Sequence, residues 1–357
     1  MLFLKKILFI INSLGQGGGE RVVVNLANEM CKSDEVNIIT LYDDLAYELG
    51  TPIKVCGLKQ KRGRLSKLVG IFKLKNQLNQ LVKRLESEKK FDLITVHLPF
   101  AHLVTRNTYF SKRSFFVIHT VYSQKMNLNI GKLVLNYMYK NKNVITVSEG
   151  VKNEFDQMFK VGYKTIQVIP NPIDINFIQK EAEKRLDFNF KYILGIGRFE
   201  EIKRFDLLIE AFSQSRANQF YKLVLLGEGC EKEKLDKLCV ELGIRAKVVF
   251  PGWQNNPYKW MKNSDLLVVT SKYESLGNVL LEALACHTKV ISVDCDYGPR
   301  EILKDELAPF LISHQTAENI AKVMDQSLID YPIDRQSYIL EYDIAHIVRR
   351  YLEVSHG

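Results

Sequence analysis

Short apolar runs of strand length, each followed by apolar residues at helical spacing, recur along this chain in two series, and few folds accept that pattern. In the first series the runs are residues 7–11, 36–41, 54–58, 92–96, 115–118, 144–148 and 166–169. Helical stripes lie between them, as at Val22, Val23, Leu26, Ala27 and Met30, and a helix is expected over about 149–159. In the second series strands are expected at 191–197, 221–226, 246–250, 265–270 and 289–293, with helices at 203–213 and 230–242. Runs without polar alternation are those of parallel strands buried on both faces. Between the series stands Pro170-Asn-Pro172-Ile-Asp174, whose two prolines interrupt regular structure, followed by a polar linker expected to reach about Asn189. The pattern predicts two doubly wound α/β domains facing across a cleft, over residues 1–172 and 173–340, with a final helix in 341–357. A chain of 357 residues suits two such domains.

Composition closes off several classes. A hydrophobic fraction of 46% without low-complexity tracts is that of a folded globular protein. Six cysteines without a C-x-x-C pair read as reduced thiols of a cytosolic protein, not as a disulfide framework or zinc site. The basic-then-apolar start, Lys5 to Ile11, is too short for a signal sequence and meets Asn12 and a glycine cluster, so it is expected to be a first strand. No run is long enough to cross a bilayer.

The net charge of +9 is unevenly placed: residues 1–180 hold 27 Lys and Arg against 14 Asp and Glu, the remainder 23 against 27. Much of the excess sits in 59–90, where a basic loop with Lys61, Arg62, Arg64 and Lys67 leads into an amphipathic helix. Such an element can lie on an anionic bilayer, or its apolar face can simply cover the sheet. A nucleic-acid platform is not expected, since basic and aromatic residues are not interleaved.

The chemistry concentrates at the ends of strands. After the first strand, Gly15-Gln-Gly-Gly-Gly19 leads into a helix, an arrangement that lets a phosphate approach backbone amides. The runs ending at 96 and 118 are each followed by a histidine, His97 and His119, where ligands bind in open parallel sheets. Gly195-Ile-Gly197-Arg198 with Lys203 offers two cations suited to a diphosphate. Gly227-Glu228-Gly229 and Phe250-Pro-Gly-Trp253 follow the next two strands. Thr270-Ser-Lys-Tyr-Glu274-Ser-Leu276-Gly277-Asn278-Val-Leu-Leu-Glu282 runs from a strand through a turn into a helix. The first amides of that helix, about Leu276 to Asn278, form an anion site, and the flanking Glu274 and Glu282 are expected to accept bonds from hydroxyls. Phosphate on amides and hydroxyls on carboxylates describe a nucleotide sugar. Asp294-Cys-Asp296 has the spacing of a metal-holding D-x-D but lies in a Gly-Pro loop, and is read as structural.

Glu274 and Glu282 with seven residues between them, followed by Gly298-Pro-Arg-Glu-Ile302, resemble the signature of family 4 of the retaining nucleotide-sugar glycosyltransferases. Gly17-Gly18-Gly19-Glu-Arg21, His119-Thr120, Arg198 with Lys203, and the Asn171 to Asp174 stretch resemble further motifs of that family, over nearly the whole chain. The resemblance implies a GT-B fold whose last helix crosses back onto the first domain. It implies Arg198 and Lys203 on the diphosphate, Glu274 on sugar hydroxyls, Glu282 on the ribose and His119 near the donor sugar. Glu228, Gly229 and Trp253 would surround base and ribose, while Gly18, Gly19, Leu276, Gly277 and Asn278 would line the donor. It implies retention by front-face attack, with neither metal nor cofactor. The motif is most similar to those of bacterial enzymes that build lipopolysaccharide, capsule or lipid-linked glycans, mostly from UDP-hexoses or UDP-N-acetylhexosamines. A peripheral place on the cytoplasmic membrane face is expected from these acceptors. Two departures are Ser275-Leu276 after the first glutamate and His287 where the family usually has glycine. An isomerase of the UDP-N-acetylglucosamine 2-epimerase type is the alternative of the same fold.

Overall fold

A computed structural model of the chain describes residues 4–354, apart from 16, 44–48, 59–65, 125, 187–189 and 332–336. It divides into two compact units, residues 1–172 with 344–357, and residues 173–343.

The first unit is built from β1 (Lys6–Ile11), α1 (Gly18–Met30), β2 (Glu35–Thr40), β3 (Lys54–Gly57), α2 (Ser66–Leu85) and β4 (Leu93–His97), followed by α3 (Pro99–Thr105) and β5 (Phe115–Ile118). Next come α4 (Leu128–Tyr139), β6 (Asn143–Thr146), α5 (Glu149–Asn153) and β7 (Thr165–Val168). The strands form one parallel sheet in the order β3-β2-β1-β4-β5-β6-β7. Every residue of β1 and β4 is buried, which is why their sequences lack polar alternation. The single helix expected over 149–159 is instead α5 followed by a π-helical turn, Glu154–Phe159. Glu154 is buried there, its carboxylate accepting the amides of Tyr122 and Ser123 at 2.9 and 2.6 Å. The basic loop with Lys61, Arg62 and Arg64 lies outside the described residues, as does the side chain of Lys67.

The second unit begins with α6 (Ile175–Ala182), capped by the Asp174 side chain on the Phe177 amide at 2.9 Å. This corrects the polar linker expected as far as Asn189: Ile178 and Ala182, four apart, bury one face among polar neighbours, and the cap starts the helix. There follow β8 (Tyr192–Ile196), α7 (Phe205–Gln214), β9 (Lys222–Leu226), α8 (Lys232–Glu241), β10 (Val248–Gly252), α9 (Tyr258–Lys262) and β11 (Leu266–Val269). After them come β12 (Tyr273–Glu274), α10 (Asn278–Ala285), β13 (Val290–Val293), β14 (Asp296–Tyr297), α11 (Pro299–Ile302), β15 (Leu311–Ile312) and α12 (Ala317–Ile329). The main sheet is parallel in the order β10-β9-β8-β11-β13-β15, and β12 pairs with β14 apart from it. Finally α13 (Ile344–Glu353) packs on α1 within the first unit, burying Ile344, Ile347 and Tyr351. Arg350 donates to the Val168 carbonyl at 2.5 Å, tying this helix to the end of β7.

Each sheet reverses its strand order once, between β1 and β4 in the first unit and between β8 and β11 in the second. At such a switch point the two flanking connections leave on opposite faces, which opens a crevice at the carboxyl ends of the strands.

Candidate active site

In the second unit, the switch point collects most of the residues singled out above. After β8 the chain turns through Gly197 into the 3-10 turn Glu201–Lys203, and Arg204 takes a left-handed conformation before α7. After β11, Thr270 donates its hydroxyl between the carbonyls of Lys203 and Arg204 at 3.0 and 2.9 Å, and the Lys272 amide bonds Ile202 at 2.8 Å. These bonds stitch the two loops together. As a result Lys203 Nζ lies 2.5 Å from Glu274 Oε1, and Ser271 Oγ donates to the same oxygen at 2.7 Å. The aliphatic stem of Lys203 lies against Gly197, where a Cβ would stand 3.5 Å from it. Both bonds fall on Oε1, and Oε2 has no protein partner among the described residues. Oriented and charge-paired in this way, the carboxylate presents one oxygen able to accept a hydroxyl.

Arg198 is placed differently. Its guanidinium pairs with Glu200 at 2.9 Å and is largely exposed. Glu228 and Trp253 form a neighbouring group, with the Trp253 amide directed at Glu228 Oε1 across a long 3.5 Å. The glycines of that loop have a packing reason: a Cβ on Gly227 would stand 1.9 Å from the Gly197 carbonyl oxygen, and one on Gly229 2.3 Å from that of Phe199. Gly229 is thus accounted for by the approach of two backbones.

Gly277 has φ +94° and stands at the N-cap of α10, a conformation that glycine adopts without strain. Leu276 is buried beside it, Asn278 is the first helical residue, and Glu282 lies one turn further in, half-buried. Gly298 supports this turn, since a Cβ there would stand 2.2 Å from the Leu276 carbonyl oxygen. The Gly298-Pro-Arg-Glu-Ile302 motif is therefore a buttress: Ile302 is buried, and Arg300 pairs with Asp294 at 3.0 Å. That pair also gives Asp294 a structural partner.

In the first unit the switch point lies between β1 and β4. Asn12 follows β1 and accepts the Ala101 amide of α3 at 2.8 Å. Gly19 lies in the first turn of α1, where a Cβ would stand 3.1 Å from Leu98 and 3.6 Å from the His119 ring. A Cβ on Gly18 would meet no protein atom within 4 Å, so neighbouring atoms give no reason for a glycine there. His97 Nδ1 lies 2.9 Å from His119 Nε2, and His97 Nε2 lies 3.0 Å from the Thr95 hydroxyl. Burial lowers His119 to about 4 against an opposing contact from Asn171; burial, His119 and His102 hold His97 well below the ordinary range. Both rings are neutral near pH 7, so one nitrogen of the facing pair donates and the other accepts.

Sequence reasoning gave no role to Thr270 or Ser271, or to Glu154 under the loop after His119. A serine three residues before Glu274 was the available signal for Ser271. Nothing in the sequence marks Glu154, which lies 32 residues from its amide partner Tyr122. Among the described residues no group of three His, Cys, Asp or Glu could hold a metal ion.

Residues 16–177 match Glycosyltransferase Family 4, and residues 176–341 match Glycosyl transferases group 1. An N-acetylgalactosamine-N,N'-diacetylbacillosaminyl-diphospho-undecaprenol 4-alpha-N-acetylgalactosaminyltransferase from Campylobacter jejuni is 30% identical over 318 residues, 85% of this chain and 84% of the relative. In fold, the chain is similar to Anabaena HepE solved with UDP and glucose (TM-score 0.76, 20% identity, 98% of this chain and 99% of that one). The lipopolysaccharide outer core galactosyltransferase WaaB is likewise similar (TM-score 0.73, 20% identity, 99% and 100%). Two parallel α/β sheets with this likeness are those of the GT-B fold. With family matches running from residue 16 to 341 and a relative 30% identical over most of both chains, this chain belongs to the family 4 glycosyltransferases.

Proposed function

We propose that this glycosyltransferase moves a hexose or N-acetylhexosamine from a UDP-sugar to a lipid-linked or lipopolysaccharide or capsule glycan, with retention and without a metal. The observation that carries the reading is the Lys203–Glu274 pair held at the switch point of the second sheet, next to the start of α10. In this reading Lys203, Arg198 and the amides at Leu276 to Asn278 take the diphosphate, supplying the positive charge that the departing group needs. Glu274 Oε2 accepts a sugar hydroxyl, Glu282 holds the ribose, and Glu228, Gly229 and Trp253 lie about the base. Gly18, Gly19 and His119 are also assigned to the donor in this reading. The acceptor hydroxyl forms its new bond to the anomeric carbon on the face from which the diphosphate leaves. The departing phosphate oxygen takes the acceptor proton, so no enzyme nucleophile is needed and the anomeric configuration is kept.

Relatives support the substrate class. Two curated relatives from Campylobacter jejuni are named as acting on diphospho-undecaprenol and PP-undecaprenol glycans, and the similar Anabaena structure held UDP. Transferase matches across both halves do not favour the epimerase alternative. No described helix is long and apolar enough to cross a membrane, and a peripheral place at the cytoplasmic face is part of the proposal. The test is a panel of UDP-, GDP- and ADP-sugars incubated with purified protein and EDTA, read by nucleotide release and by the anomeric configuration of the product. UDP release that persists in EDTA, with retained configuration, is the expected result. Activity lost to EDTA and restored by Mn²⁺, or an inverted product, overturns it.

A further inference from the structure

Helix α4 is apolar on two faces. Its inner face, with Gly131, Leu135, Met138 and Tyr139, is buried, and Gly131 sits so close to Phe159 that a Cβ would stand 2.4 Å from the ring. The fold is therefore satisfied by that face alone. On the opposite face Ile130, Leu133 and Tyr137 recur at helical spacing and are 59, 76 and 54% exposed. A stripe of large aliphatic and aromatic side chains facing water marks a contact surface.

The charge around it says what the contact is. Between Asp92 and Glu149 the sequence has no acidic residue and seven Lys or Arg. Arg106 stacks 3.6 Å above the Tyr137 ring, and exposed Lys140 ends the helix. The acids that do pack near α4 are engaged elsewhere: Glu154 holds the 122–123 amides, and Asp156 accepts from the Tyr163 hydroxyl at 2.5 Å. A second copy of this chain would bring like charge against like charge. An apolar stripe rimmed by cations matches instead the interfacial zone of an anionic bilayer, where aliphatic side chains enter the acyl boundary and cations meet phosphates.

We propose that the outer face of α4, centred on Ile130, Leu133 and Tyr137 with Arg106 and Lys140 at its end, is the surface by which this protein docks on anionic lipid. This deepens the membrane part of the proposed function by adding a helix face to the basic element expected over 59–90. The experiment uses the full chain with vesicles of phosphatidylglycerol or of phosphatidylcholine. Wild type is expected to co-sediment with the first at low salt and not with the second. The pair Ile130→Ser with Leu133→Ser should weaken that partitioning at least ~10-fold, from the loss of two buried aliphatic side chains, with donor turnover unchanged. In a separate Leu133→Trp variant, emission should shift to the blue on phosphatidylglycerol and be quenched by brominated acyl chains. If wild type binds while the serine pair partitions equally and the Leu133→Trp variant shows no shift, the inference falls and the membrane reading stands. If wild type ignores phosphatidylglycerol, both fall, a soluble acidic partner becomes the occupant, and the donor panel still decides transfer independently.

Discussion

Lys203 and Glu274, 71 residues apart in sequence, share a 2.5 Å contact at the switch point of the second sheet. Ser271 completes the arrangement on the same oxygen. The carboxylate that the proposed function assigns to the sugar is therefore oriented by the cation assigned to the diphosphate. The two groups act as a unit, and their removal should not be additive.

Lys203→Ala is expected to reduce transfer at least about 10²-fold, the scale of losing an oriented charge donor. Glu274→Gln should damage transfer and leave UDP affinity near wild type, while Glu282→Gln should weaken UDP itself. The double variant of Lys203 and Glu274 should lose much less than the product of the two single losses. Calorimetric UDP titration and steady-state rates measure all of these. Equal weakening of UDP by both glutamate variants would refute the division between sugar and ribose.

The glycines separate packing from ligand approach. Gly227→Ala brings a Cβ within 1.9 Å of a backbone oxygen and should lower stability by roughly 2 kcal/mol or more. Gly18→Ala meets no protein atom and should leave stability within about 0.5 kcal/mol of wild type. If donor phosphate approaches α1 there, the same variant should nevertheless lose activity about 10-fold, equivalent to ~1.4 kcal/mol of barrier. Thermal melts beside donor kinetics distinguish the two outcomes.

His97, His102 and His119 carry a pH dependence of stability. Burial lowers His102 to about 3 and His119 to about 4, with His97 also well below the ordinary range. Unfolded imidazoles take up protons near pH 6.5, whereas these rings do so only at lower pH. Between those values the unfolded chain binds more protons, so the stability they contribute is complete above about 6.5 and is lost as the pH falls toward 4. The melting temperature should fall steadily from pH 7 to 5, before most carboxylates titrate. His97→Gln should flatten that fall, and an unchanged slope would mean that the ring takes up its proton over the same pH range folded and unfolded.

His287 follows Cys286, the C-cap of α10, with φ +60°, the left-handed position that commonly ends helices and that glycine fills without strain. His287→Gly should raise stability by about 0.5–1 kcal/mol, since the strain of a side chain there exceeds the added freedom of the unfolded glycine. Donor turnover should not change. Chemical denaturation reads the difference, and a drop in stability would show that His287 packing matters more than its backbone.

Much of the architecture follows from the sequence alone. Apolar runs such as Ile7 to Ile11 can be satisfied only as interior parallel strands, and the helical stripes after them cover the sheet. The placement of cations and carboxylates after strands was likewise readable, because the carboxyl ends of strands are where loops of an open sheet converge. Tertiary structure decided the rest. Local polarity made residues 173–189 look like a linker, but burial of Ile178 and Ala182 makes α6. Thr270 acquires its role only because two loops, 66 or more residues apart, are bonded together. The Gly227 and Gly298 requirements depend on backbones distant in sequence, and spacing cannot reveal a distance between chains. The outward face of α4 belongs to the same class: only the occupied inner face shows that Ile130, Leu133 and Tyr137 are left outside the core.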